Sequence, residues 1–544
     1  MTAHDSPDRD EVAHSIRSGH TALGIELGST RIKAALIGPT HRPIATGAHA
    51  WSNQFIDGLW TYDLTSVVAG LQSCYAQLAD NVHQDYGVEL NTVGSLGVSA
   101  MMHGYLAFDD DGELLAPFRT WRNTNTDAAS RDLSDLFDQN IPHRWSIAHL
   151  YQAVLDHEEH LPRLGHLTTL AGYVHNRLTG ENVLGVGDAS GMFPIDVQTG
   201  TYDTTLVARF DELIADRGYP WTLAEVLPAV LPAGVAAGQL TTGGALLLDP
   251  TAQLQTGVSL CPPEGDAGTG MVATNSITPG TGNVSAGTSI FAMVVLDREL
   301  RARHPEIDLV TTPEGNPVGM VHCNNGTSEL DAWVSLFGEV TTAFGATQNT
   351  DRLFEQLYRI GLSGEPDAGG LVAYNFVSGE PVVGVEHGLP LLLRQPGSRF
   401  TLANLVRAQL NATLGALRMG MDVLTTEGIR PHRLYAHGGF FTTRDVGQRM
   451  LAAALDTPVA VTDTASEGGA WGMALLAAYR AERSDGLTLS RYLSENIFDD
   501  DSFETLVADP SEVAGFAAYM SSYRTGLPIE RQAAELLTAP PGSI

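Results

Sequence analysis

The chain reads as an α/β protein made of two like-folded domains, and three observations point there. Its 544 residues are too many for one ordinary domain. A strand–Gly/Ser/Thr–strand pattern occurs once in each half, as GIELGSTRIKAALI at 24–37 and NVSAGTSIFAMVV at 283–295. Around both, short aliphatic runs of strand length alternate with longer segments of helical periodicity.

Composition sets the class. With 43% hydrophobic and 17% charged residues, the chain has the balance of a soluble globular protein with a sizeable core. A formal net charge of -32 argues against nucleic acid or an anionic membrane as partner, since polyanions are repelled. It leaves room for a small anion held by local N–H groups and a metal ion. Lys33 is the sole lysine, a pattern that codon bias explains in general but not at that position. The three cysteines, Cys74, Cys261 and Cys323, form no CxxC pair or metal spacing, which suits free thiols in a reducing cytoplasm. Residues 1–20 are polar and read as a disordered leader without the apolar core of a signal peptide. No apolar run reaches the roughly 18 residues of a membrane helix.

In the first half, ALGIEL and IKAALI predict a hairpin around Gly28, Ser29 and Thr30, with Lys33 just beyond and Glu26 just before. Backbone N–H groups and hydroxyls at such a turn suit an anion. PIATGAHAW predicts a strand, and residues 65–84 predict a helix with Val67, Val68, Leu71, Tyr75, Leu78 and Val82 on one side. Residues 93–115 read as strand, loop and strand, the loop carrying Met102-His103-Gly104, followed by Trp121 and amides in TWRNTNT. An indole face with amides at its rim suits a polyol. From 127 to 256 the chain reads as mostly helical, with a helix ended at Gly180 and with Asp188, in a Gly/Ala/Ser setting, as a turn residue or a cleft-lining acid.

The stretch Cys261–Ser289 predicts a loop, a helix over about 266–273, a strand, the turn Gly287-Thr288-Ser289 and a second strand. Asp266 stands between Gly265 and Ala267, where small neighbours allow close approach of a ligand. Further on, Thr327 or Ser328 starts a helix faced by Leu330, Trp333, Val334 and Phe337, and Leu402–Leu424 reads as one long amphipathic helix. A strand ends at the paired glycines Gly438-Gly439, with a helix from about Arg444, and another helix opens at Glu467-Gly468-Gly469. Residues 481–544 form an acidic tail with helical stretches near 510–525 and 529–537.

The duplicated hairpins and the paired glycines resemble the actin-like ATPase (ribonuclease H-like) fold, which implies two α/β domains with an interdomain cleft. Within it the chain resembles the FGGY carbohydrate kinases from about residue 22 to 480. GIELGSTRIKAALI is similar to that family's first phosphate segment, EGDAGTG to its catalytic Asp segment, SAGTS to its second phosphate segment, and HGGFFTTRDVGQRMLA with EGGAWGMALLA to its adenosine segment. SAMMHG at 99–104, followed by LLAPFRTWRN, is similar to the xylulokinase branch. The chain departs from the pattern in Glu26, where the family has Asp, in Trp121-Arg122-Asn123, where it has Trp-Asn-Asp, and around Glu380.

The resemblance implies a domain order of leader (1–20), sugar-binding domain (21–276), nucleotide-binding domain (277–480) and a helical tail packing on the second domain (481–544). It implies an ATP- and Mg²⁺-dependent kinase acting on the terminal hydroxyl of a ketopentose, D-xylulose first, with L-ribulose or another polyol as the alternative. Asp266 would be the base and would also touch substrate, along with Met102, His103, Gly104 and Trp121. Gly28, Ser29, Thr30, Lys33, Gly287, Thr288, Ser289, Gly438 and Gly439 would bind the nucleotide, and Glu26 the metal through water. The expected partners are a small-molecule sugar and ATP, with no nucleic acid and no membrane and with a homodimer left open. Rivals from other classes are an actin-fold ATPase that activates a protein partner and a sugar sensor without turnover.

Overall fold

Ala22–Leu27 and Arg31–Ile37 form the antiparallel hairpin that their apolar runs predict, with Leu27 opposite Ile32 and Glu26 opposite Lys33. The computed structural model describes residues 8–346, 349–443, 445–461, 468–498 and 504–537. It divides into two units, one of residues 1–278, 309–318 and 467–499, the other of residues 279–308, 319–466 and 500–544.

In the first unit the hairpin is extended by Pro43–Ala50, antiparallel to Arg31–Ile37. On its other side Ser95–Ala100 runs parallel to Ala22–Leu27, and Ser259–Leu260 and Glu264–Gly265 run parallel to Ser95–Ala100. Leu64–Tyr86 is a helix capped by the Asp63 carboxylate, which accepts from the Thr65 N–H, and it buries Val67, Leu71, Tyr75, Leu78 and Val82 as their spacing requires. It ends at Gly87, in the left-handed region at φ 66°.

The helix Gly468–Glu482 also belongs to this unit, although it begins more than 200 residues beyond Glu264–Gly265, the last strand of the first sheet in chain order. Its fit depends on glycines. A methyl group on Gly24 would overlap the Ala470 carbonyl, and one on Gly472 would overlap the Thr269 carbonyl. The helix therefore lies in backbone contact with both the first strand and the helix Asp266–Ala273.

The second unit repeats the plan. Thr281–Ala286 and Ile290–Val295 are an antiparallel hairpin, and Arg433–His437 and then Val459–Val461 continue the sheet in parallel. Its central strands run in the order Pro317–Cys323, Ile290–Val295, Thr281–Ala286, Arg433–His437, Val459–Val461, Glu504–Leu506. In both sheets the hairpin thus has a third strand on the side of its second strand and parallel strands on the side of its first.

Three expectations are corrected. Residues 9–17 are a helix rather than a disordered leader, because Asp8 caps it and Val12, Ala13 and Ile16 share one face that is buried in the core; residues 1–7 lie outside the described residues. The long helix over Leu402–Leu424 is two, Leu402–Thr413 and Gly415–Thr426. At the break the ring of Tyr523 occupies the space that a side chain at Gly415 would need, 2.8 Å from its Cβ position. The tail stretches near 510–525 and 529–537 are one helix, Pro510–Leu537, which carries Pro528 inside it. It packs on the second unit, where Tyr519 donates to the Ala373 carbonyl at 3.0 Å and Tyr374 donates to the Tyr523 carbonyl at 2.7 Å. Residues 481–498 of the expected tail belong to the first unit. Arg444 and Glu467, expected at two helix starts, lie outside the described residues; the helices run from Val446 and Gly468.

If the glycine contact fixes the helix Gly468–Glu482, Gly24→Ala will cost about 1–3 kcal/mol through overpacking. Thermal unfolding checks this. A melting temperature equal to that of the parent would refute it.

Candidate active site

Asp266 opens the helix Asp266–Ala273, with Gly265 as the N-cap. The first-turn position places a carboxylate where the helix dipole and unpaired N–H groups favour it. Its Oδ1 accepts from the Ala267 N–H at 2.9 Å and from the Met102 N–H at 3.2 Å. The second bond joins the acid to the Met-His-Gly loop. Gly265 is needed for that approach, because a methyl there would overlap the Met102 side chain. Burial nevertheless outweighs these bonds and pushes the Asp266 pKa up to about 6.

Two further carboxyl groups stand behind Asp266. Asp188, expected to be a turn residue, is fully buried on the helical turn Val186–Ala189. Its Oδ2 accepts from the Thr169 hydroxyl at 2.6 Å, while among the described residues Oδ1 has no hydrogen-bond partner. Burial, and secondarily the charge of Asp266, push its pKa up to about 7. Glu264 is buried as well and accepts from the Asp188 N–H at 2.9 Å. Gly185 and Gly187 make room for it, since a methyl at either would overlap its carboxyl group. Burial and the neighbouring Asp188 raise Glu264 to about 8. Sequence reasoning offered Asp188 as a turn residue or a cleft-lining acid and gave Glu264 no role. The available signal was their glycine-rich setting, GVGD and PPEGD, which marks close packing around something larger than a methyl group.

His103 has a left-handed backbone, φ 69°, which is uncommon for a residue with a side chain. The conformation is held from several sides. Its Nδ1 lies 3.1 Å from the Gly191 carbonyl, its ring stacks on Trp145 at 6.4 Å, and the Ser146 hydroxyl donates to the Gly104 carbonyl at 2.5 Å. Gly104, at φ 95°, takes a conformation that suits only glycine well. Met102, His103, Gly104 and Asp266 are therefore brought together.

Trp121 is half-buried and packs on the hydrophobic core of the first unit. The rim amide expected at Asn123 is corrected: Asn123 is buried, accepting from the Trp60 N–H at 2.9 Å and donating to the Trp60 carbonyl at 2.8 Å. Its amide is committed to the backbone, so the change from an acid there alters a structural clamp. Arg122 stacks over the Trp60 ring at 3.8 Å.

The first hairpin turn exposes Thr30 and half-buries Gly28, Ser29 and Lys33. Glu26 and Lys33 share a sheet face by their register. The Glu26 carboxylate lies against Gly469 in the first turn of the helix Gly468–Glu482, so closely that a methyl on Gly469 would overlap it. Among the described residues there is no group of three or more His, Cys, Asp or Glu placed to hold a metal. A single carboxylate suits a largely hydrated cation that takes its other ligands from phosphates, which is the habit of Mg²⁺.

In the second unit, the turn Gly287-Thr288-Ser289 likewise exposes its threonine. Gly326 and Thr327 donate to the Thr288 and Gly287 carbonyls at 2.7 and 2.9 Å. Asn325, just before them, is fixed by Glu380, whose carboxylate accepts its N–H at 3.1 Å and its side-chain amide at 3.0 Å. Gly438, at φ 103°, lies against the Ala286 backbone, and among the described residues nothing stands within 4 Å of a methyl placed on Gly439. An open backbone face at the end of a strand is what a flat ring or ribose needs.

The chain belongs to the FGGY family of carbohydrate kinases: the N-terminal domain of that family matches residues 21–251 and the C-terminal domain residues 282–481. It is thus a phosphotransferase, in a family that uses ATP as a substrate, and it is xylulokinase-like. A xylulose kinase of Haemophilus influenzae is 22% identical over 450 residues, 77% of this chain and 82% of that protein. A ligand-bound xylulose kinase from Lactobacillus acidophilus has a TM-score of 0.78 at 15% identity, covering 95% of this chain and 100% of that one. Plasmodium falciparum glycerol kinase with ADP has a TM-score of 0.74 at 13% identity, covering 94% of this chain and 98% of that one. These structures establish the actin-like two-domain fold. Among the described residues no helix is long and apolar enough to cross a membrane.

Glu264 yields a prediction about stability. Burial raises its pKa in the folded protein to about 8, from the ordinary glutamate value of 4.5 in the unfolded chain. Its contribution is therefore complete below about pH 4.5 and is lost as the pH rises through 8. In Glu264→Gln this loss is absent, although Asp188 still titrates. Melting temperatures from pH 5 to 9 should decline less steeply for the variant than for the parent. Parallel curves would refute the buried, protonated state of Glu264.

Proposed function

We propose that the protein transfers the γ-phosphoryl group of ATP to the terminal primary hydroxyl of an open-chain ketopentose, with D-xylulose favoured. The observation that carries this reading is the hydrogen bond from the Met102 N–H to the Asp266 carboxylate, which couples a candidate base to the Met-His-Gly loop. The xylulose kinases among its relatives support the choice of sugar.

Phosphoryl transfer asks the protein mainly for alignment, charge neutralisation and a base beside the attacking oxygen. Asp266 takes the hydroxyl proton as the oxygen attacks phosphorus. A pKa near 6 leaves the carboxylate ionised at neutral pH while keeping it more basic than a solvated aspartate. His103, fixed by Gly191 and Trp145, binds the sugar with Met102 and Gly104, and Trp121 contributes from the adjoining loop. Gly28, Ser29, Thr30 and Lys33 hold nucleotide phosphates, as do Gly287, Thr288 and Ser289, and Gly438 and Gly439 take the adenosine. Glu26 would hold Mg²⁺ through water, and the cation would supply charge neutralisation on the phosphates. The buried thiols Cys74, Cys261 and Cys323 suit a cytoplasmic setting.

The test is ADP release from ATP and Mg²⁺ across pentuloses, hexuloses, polyols and no sugar. One pentulose should stimulate strongly; a rate equal to that without sugar would refute the kinase. Asp266→Asn should lower turnover roughly 10²–10⁴-fold while leaving ATP binding near that of the parent. For the parent, kcat/KM should rise as the pH passes through about 6 and then level off, because the base must be ionised. A profile flat from pH 5 to 8 would exclude Asp266 as the base.

A further inference from the structure

The first hairpin turn is held by its carbonyl groups. The indole N–H of Trp51 donates to the Gly28 carbonyl at 2.7 Å, and the Trp51 backbone N–H donates to the Thr30 carbonyl at 3.1 Å. The Tyr62 hydroxyl donates to the Ser29 carbonyl at 2.7 Å. Three successive carbonyls are thus bound by two residues, whose rings stack on each other at 4.3 Å. In a trans peptide the C=O and the next N–H point in opposite directions. Holding the Gly28 and Ser29 carbonyls on one side therefore aims the N–H groups of Ser29 and Thr30 to the other. Among the described residues neither N–H donates to a backbone carbonyl.

The clamp is itself fixed. Tyr62 is buried, and burial pushes its pKa up to about 12, so the phenol stays a donor. The Trp60 backbone two residues before it is pinned by Asn123. The Ser29 hydroxyl donates to the Met101 sulfur at 3.3 Å, one residue from the Met102 N–H that binds Asp266. In the second unit the Gly287 and Thr288 carbonyls of the corresponding turn are instead held directly by the backbone N–H groups of Thr327 and Gly326.

We propose that Trp51 and Tyr62 are positioning residues that pre-aim the Ser29 and Thr30 N–H groups at a nucleotide phosphate. This rests on the reading of the turn as a phosphate site. Neither residue belongs to the Gly-Ser-Thr segment.

The experiment compares the full-length parent with Tyr62→Phe, which keeps the ring and removes the hydroxyl, and with Trp51→Phe. Binding of a non-hydrolysable ATP analogue with Mg²⁺ is measured by calorimetry, beside KM for ATP, KM for the sugar and the melting temperature. One lost hydrogen bond should weaken analogue binding about two- to tenfold and raise KM for ATP similarly, with KM for the sugar unchanged. An unchanged analogue affinity in both variants would overturn the clamp. So would equal losses for sugar and nucleotide accompanied by a large fall in melting temperature, or a parent that binds no nucleotide. A parent that binds the analogue without sugar-dependent turnover would sink the kinase reading alone, since the effect of Tyr62→Phe on affinity would still be measured.

Discussion

Backbone contact between the helix Gly468–Glu482 and the elements beneath it is the constraint on which the first unit depends. Gly24 admits the Ala470 carbonyl, Gly472 admits the Thr269 carbonyl, and Gly469 admits the Glu26 carboxylate. One helix thereby sets the position of the strand that leads into the first turn and of the helix that begins with Asp266. Side chains at these three places would hold the elements apart by a methyl group or more, and interiors packed at crystal density do not absorb such a change without strain. The glycines are also the reason a helix from near the end of the chain can pack on a sheet begun at residue 22.

The acids around Asp266 illustrate how burial and charge divide roles. Asp266 keeps some exposure and two N–H donors and rises to about 6; Asp188 and Glu264, fully enclosed, rise to about 7 and about 8. Three carboxyl groups so close cannot all ionise at neutral pH without large repulsion, and the one with two N–H donors and the lowest pKa, Asp266, carries the charge most readily. Glu264 holds the Asp188 backbone, Asp188 takes the Thr169 hydroxyl, and the Met102 N–H is left to Asp266.

The two turns reach a common end by different means. Each exposes a threonine between two strands, and each has its carbonyls occupied from outside. In the second unit the donors are the backbone of Gly326 and Thr327, supported by Asn325 and Glu380; in the first they are aromatic side chains together with one backbone N–H. The plan of the sheet is duplicated between the units, whereas the parts that stiffen each turn are local to it.

Much of the fold was legible in the chain alone. Alternating apolar runs give the strands of both hairpins, the 3.6-residue spacing gives Leu64–Tyr86, and Gly180 at φ 85° ends its helix as read. Asp266 at the start of a helix and the Met-His-Gly loop were legible because small residues flank them. These are local properties, set by propensity, periodicity and turn chemistry. Other features were not local. The single tail helix, the break at Leu414, the burial of Val12 and Ile16, and the commitment of Asn123 to Trp60 depend on what packs against each segment. Likewise Glu264 and Asp188 became buried neighbours of Asp266, and Trp51 and Tyr62 came to hold Gly28 and Ser29, only once distant segments met. The sequence by itself determined most of the elements and placed Asp266 at a helix start and the two Gly-Thr/Ser turns between strands. The tertiary structure decided which polar groups face one another, because desolvation and hydrogen bonding act between residues far apart in the chain.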